Sequence, residues 1–77
     1  MASTPRVVVY HADGCHLCAR ALEVVAEVCG TDFASVDIGG DAELETRYRE
    51  SIPVIEIDGA RAFTYFVQPE VLRQRLR

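Results

Sequence analysis

The chain has 77 residues, a formal net charge of −4, 49% apolar residues and 26% charged residues. A chain of this length is expected to make one domain, residues 1–77, that buries about 60–65% of its unfolded surface. The acidic balance argues against nucleic acid and against an anionic membrane surface as partners, since both call for basic patches, and no apolar run approaches the roughly 20 residues of a membrane span.

Residues 1–6 are polar with a single arginine, and the apolar run after them, residues 7–10, is too short for a signal-peptide core. The expected location is therefore the cytoplasm, where thiols stay reduced and paired cysteines serve catalysis or metal binding more often than structure. Residues 7–10 (Val-Val-Val-Tyr) read as a strand buried on both faces. A loop ending at Gly14 follows. From residue 16 to residue 29 the period becomes helical: Leu17, Ala21, Val24, Val25 and Val28 form one side, Arg20, Glu23 and Glu27 the other, and Gly30 is the stop.

Residues 33–38 read as a second strand, broken by Gly39 and Gly40. Asp41 is placed to cap a short helix running to about Arg49, with Glu43 and Glu45 early and Arg47 and Arg49 late, as the helix dipole favours. Residues 54–57 and 60–65 flank Asp58–Gly59, a strong hairpin signal because both turn positions need positive φ. A two-residue turn sets Glu56 opposite Arg61. Pro69 suits the first turn of a last helix, whose apolar side is Val71, Leu72 and Leu76. The order is β-α-β-α-β-β-α. The first crossover must be right-handed with parallel strands, and the hairpin antiparallel. The predicted fold class is α/β: a four-stranded mixed sheet flanked by three helices.

All three cysteines lie in or beside the first helix. Cys15 falls at the strand-to-helix junction, where unpaired N–H groups and the positive end of the dipole stabilise a thiolate. Cys18 is almost one turn further on, within reach of a small disulfide ring. The spacing supports a cycle in which Cys15 attacks a substrate disulfide and Cys18 resolves the mixed disulfide. Cys29 is about 16 Å from Cys18 along the helix, too far for a bond, and reads as a small hydrophobe. His16 carries two readings, a cation that stabilises the Cys15 thiolate or a solvent-facing residue of a variable dipeptide. His11 reads as incidental. A zinc site wants four ligands, and one CxxC with two nearby histidines falls short, so no metal is assigned. An iron–sulfur cluster shared between two chains stays open as an alternative.

A strand, then "CHLC" at a helix start, then "IPV" before a hairpin resembles the thioredoxin fold. "VVVYHADGCHLC", "VDIGGDAEL" and "IPVIEIDG" together resemble small bacterial glutaredoxin-like proteins over nearly the whole chain. The resemblance implies a glutaredoxin-type thiol–disulfide oxidoreductase with Cys15 as nucleophile and Cys18 as resolving cysteine. It implies a cis bond before Pro53, with the Ile52 backbone receiving an extended peptide or glutathione. The substrate-binding set is Gly14, His16, Ile52 and Pro53. No bound cofactor is expected; glutathione or another thiol would serve as reductant. The implied partners are a disulfide-bearing protein or small thiol substrate and a reductase or low-molecular-weight thiol, acting on a monomer. The alternative is a module of the same fold that binds partners or delivers metal or iron–sulfur clusters, with little turnover.

The chain departs from glutathione-using relatives at three places. Ala12 stands where they commonly carry lysine, Ser51–Ile52 where they carry Thr-Val, and "TYFVQPE" where they carry a Gly-Gly signature. Gln68 and Arg47 are the substitutes to hand for the missing contacts, and Arg47 and Arg49 could fold over the cleft. Glutathione is accordingly expected to be a poor reductant.

Overall fold

The computed structural model describes residues 5–77; the first part of the polar start, residues 1–4, lies outside the described residues. The elements are β1 (Val7–His11), α1 (His16–Cys29), β2 (Ala34–Asp37), α2 (Ala42–Tyr48), β3 (Val54–Ile57), β4 (Ala60–Thr64) and α3 (Pro69–Arg75). The sheet order is β2-β1-β3-β4. β1 and β2 are parallel, as a helical crossover requires, and β3 runs antiparallel to both β1 and β4. This is the α/β architecture, and the element order, that the sequence predicts. No helix among the described residues is long and apolar enough to cross a membrane.

Local chemistry explains the element ends. The Asp41 carboxylate accepts N–H bonds from Glu43 (3.1 Å) and Leu44 (3.0 Å), capping α2. Glu43 pairs with Arg47 and Glu45 with Arg49, one turn apart. Asp58 (φ 53°) and Gly59 (φ 83°) make the tight turn, with Ile57 opposite Ala60 and Glu56 opposite Arg61. Beyond that pair Ile55 faces Phe63, so β4 accommodates one extra residue, Ala62, as a bulge.

Arg6 reaches across to the turn: its Nε and Nη2 donate to the two Asp58 carboxylate oxygens at 3.0 and 2.9 Å. The bond holds the Asp58 carboxyl below its ordinary pKa, although both groups are solvent-exposed. A carboxyl depressed in the folded state adds stability above its unfolded pKa and loses it as pH falls through the folded value. The stability difference between wild type and Asp58→Asn should therefore be constant near neutrality, begin to shrink as pH approaches the unfolded value of about 4, and vanish only below the depressed folded value. Asn tolerates the same backbone, so the comparison isolates the charge. Urea titrations across that range are the check, and a difference undiminished at pH 2 would contradict it.

The core is split by the sheet. One face packs Val7, Val9, Ile55 and Ile57 against Ala21, Val24 and Val25 of α1 and Leu72 of α3. The other buries a smaller cluster of Ala12, Ile38, Tyr48 and Val54 beneath α2. β1 is therefore buried on one face only; Val8 and Tyr10 on the other are half-exposed, because the seven-residue α2 is too short to cover the sheet. Leu17 is a second correction. It follows the helical period but is 38% exposed, because it lines an open groove with Tyr65 and Phe66. Strand ends differ by a residue: Phe33 and Ile38 fall outside β2, and Tyr65 outside β4.

Candidate thiol–disulfide site

Cys15 is the N-cap of α1, with extended backbone (φ −98°, ψ 107°), and its Sγ accepts the N–H of Cys18 at 3.1 Å. The sulfur thus occupies the place that a serine or aspartate oxygen fills at other helix starts. The first turn of α1 holds no acidic residue, so nothing within it opposes negative charge on that sulfur. Cys15 is half-exposed, whereas Cys18 is only 2% exposed. The two are paired as a disulfide with their Cα atoms 5.2 Å apart. Gly14 enters the helix at φ +77° with open space around its Cα. The reason for glycine here is backbone conformation and not packing.

The other predicted residues are distributed around this pair. His16, the first residue of α1, is exposed. Tyr10 pairs with Val54, so continuing that register brings Pro53 to the end of β1, from which the Cys15 loop departs. The Ile52–Pro53 peptide is cis. The Pro53 side chain is buried, and Ile52 packs half-buried against the cluster beneath α2. Cys29 lies at the far end of α1 as a free, half-buried thiol against the main core. Burial, with the nearby Asp32 charge, pushes its pKa up. Among the described residues no group of three or more His, Cys, Asp and Glu side chains is placed to hold a metal ion.

The reduced protein should therefore react with iodoacetamide near pH 7 at Cys15 first, with Cys29 and Cys18 far behind. Timed quenching and peptide mass mapping will read the order; equal labelling of Cys29 would contradict it.

Ala12 is buried under α2. Of the residues weighed as substitutes for the missing glutathione contacts, the two arginines, Arg47 and Arg49, pair with neighbouring carboxylates within α2. Gln68 is the N-cap of α3 but makes no side-chain capping bond. The Glu56–Arg61 pairing also takes an unexpected form. The Glu56 carboxylate accepts the Tyr48 hydroxyl (2.8 Å), while the Arg61 guanidinium lies over the Tyr48 ring, 5.5 Å from its centre. Tyr48 in turn stacks on Tyr10 at 4.3 Å. The two charges meet through an aromatic group that pattern reading had no means to place there.

Residues 6–77 match the glutaredoxin-like domain family (DUF836). The chain belongs to that family. Target protein XcR50 from X. campestris, in its X-ray structure, is 34% identical over 91% of this chain and 93% of its own, with a TM-score of 0.78. The thioredoxin-like protein BC3987 is 26% identical over 92% and 94% of the two chains, with a TM-score of 0.68. Oxidised thioredoxin from Plasmodium falciparum, 20% identical over 91% of this chain and 75% of its own (TM-score 0.52), shares the fold alone. No curated protein matches the chain. This glutaredoxin-like domain is thus a thioredoxin-like fold carrying a CxxC pair at disulfide distance at the start of its first helix.

Proposed function

We propose that this glutaredoxin-like domain is a thiol–disulfide oxidoreductase that reduces disulfides of polypeptide or small-molecule substrates. The observation that carries the reading is Cys15: a half-exposed sulfur at a helix start, accepting a backbone N–H, above a buried partner cysteine. In the reduced protein the Cys15 thiolate attacks one substrate sulfur. A Cys15–substrate bond forms and the other substrate sulfur leaves as a thiolate. Cys18, losing its proton, then attacks Cys15 Sγ, the second substrate sulfur leaves, and the Cys15–Cys18 bond closes. Two electrons have passed to the substrate, and an external dithiol or reductase restores the pair. Gly14, His16 and Ile52 are the substrate-facing residues of this reading, with the Ile52 backbone able to pair with an extended strand; the buried Pro53 contributes to the substrate site by fixing the course of that backbone.

Glutathione is a poor reductant in this proposal. Its two carboxylates need cations or free helix-terminus N–H groups. Ala12 offers neither, and Arg47 and Arg49 are already paired. The test compares reductants on one disulfide-bearing peptide. A dithiol or a thioredoxin-reductase-like enzyme should give saturable, catalytic reduction, whereas millimolar glutathione should give slow reduction without saturation. Efficient saturable turnover with glutathione would refute the reductant assignment, and no catalysis with any reductant would refute the activity.

A further inference from the structure

Two residues other than glycine have positive φ among the described residues, Asp58 and Tyr65. Asp58 belongs to a two-residue turn that demands it. Tyr65, at φ +66°, follows β4 where the chain leaves the sheet for α3. An aromatic residue there carries a backbone penalty of about 1–2 kcal/mol that glycine would not. The contacts of Tyr65 show what the side chain contributes. Its backbone N–H donates to the Pro53 carbonyl at 2.9 Å, and its hydroxyl donates to the Glu50 carbonyl at 2.6 Å. The two bonds grip residues 50–53 at both ends, and that segment carries Ile52 and Pro53. Glycine would keep the first bond and lose the second. The Tyr65 ring also joins Leu17, Ala21 and Phe66 in lining a groove of about 170 Å³. Leu17 stands between the two cysteines in the chain, so Tyr65 spans from the reacting helix to the substrate-receiving segment.

We propose that Tyr65 is a positioning residue of the substrate site: its hydroxyl holds residues 50–53 at the height where the Ile52 backbone meets an extended polypeptide disulfide lying over Cys15. The proposal rests on the oxidoreductase reading and adds to it a determinant of polypeptide binding. Breaking the strap leaves Cys15, Cys18 and the N-terminus of α1 untouched, so binding suffers and sulfur chemistry does not.

The test uses the whole chain with Tyr65→Phe and Tyr65→Gly, steady-state reduction of a disulfide-bearing peptide, and amide hydrogen exchange at Ser51 and Ile52. In Tyr65→Phe, KM should rise roughly two- to tenfold, the range for one lost hydrogen bond, with kcat within about twofold of wild type and faster exchange at both amides. Tyr65→Gly, freed of the backbone penalty, should raise KM at least as much even where its melting temperature equals or exceeds that of wild type. A merely structural tyrosine predicts unchanged KM in both variants, and that result overturns the proposal. So does faster exchange without a change in KM. An inert wild-type protein would refute the oxidoreductase reading instead; exchange would then decide the holding role alone, faster exchange supporting it and unchanged exchange overturning it.

Discussion

Cys15→Ser should reduce peptide-disulfide turnover by on the order of 10³-fold or more, because a serine hydroxyl is not ionised near neutrality and no second thiol is positioned to replace it. Cys18 is buried beneath Cys15, and Cys29 sits at the opposite end of a 14-residue helix with its pKa pushed up by burial. Cys18→Ser should behave differently. The first attack needs only Cys15, so one thiolate should leave per protein molecule in a rapid burst. Turnover then stops, because the mixed disulfide has no internal thiol to resolve it. The two variants are therefore distinguished by burst amplitude and not by steady-state rate alone. An assay that counts released thiol against protein concentration separates them. Equal bursts in both variants would mean that the role is shared, and a burst in Cys15→Ser alone would mean that the roles are reversed.

The second large effect is structural. Leu72→Ala should cost about 2–5 kcal/mol, the usual range for deleting a fully buried leucine side chain. A domain of this size has only about 4–12 kcal/mol of net stability, at roughly 0.05–0.15 kcal/mol per residue. Leu72 is the buried residue of α3, and it docks the helix on the α1 face of the sheet. The exposed Arg73–Glu27 pair at 3.9 Å contributes little beside it. The loop carrying Tyr65 and Phe66 leads directly into α3, so loosening this helix also loosens one wall of the groove beside the cysteines. Urea unfolding followed by circular dichroism should show the midpoint falling with an unchanged slope. A loss below about 1 kcal/mol would mean that α3 lies outside the cooperative unit.

Where side-chain periodicity and turn chemistry act locally, the sequence was sufficient. The helical stretch at residues 16–29 coincides with α1, and Asp41 and Asp58–Gly59 serve as the cap and turn that their chemistry suggests. The CxxC spacing placed Cys15 at the helix start for the same reason. What could not be read was set by tertiary geometry. Leu17 obeys the helical period yet faces an open groove shared with Tyr65 and Phe66, so its burial depends on the path of the chain between β4 and α3. Val8 and Tyr10 look like core residues, and only the shortness of α2 leaves them half-covered. Tyr65 resembles a continuation of the strand, because β-propensity carries no signal for a left-handed residue held by contacts to residues 50 and 53. Tyr48 took the Glu56 carboxylate because α2 lies over that strand, a juxtaposition without any marker in either segment.

The most direct measurement traps the first chemical step. Reduced Cys18→Ser protein is mixed with a disulfide-bearing peptide, quenched in acid, and analysed by intact mass and peptide mapping without reductant. The prediction is one peptide adduct per chain, linked at Cys15, with Cys29 unmodified. An adduct found mainly at Cys29, or none within the time in which wild type turns over, would contradict the assignment of Cys15 as the attacking thiol.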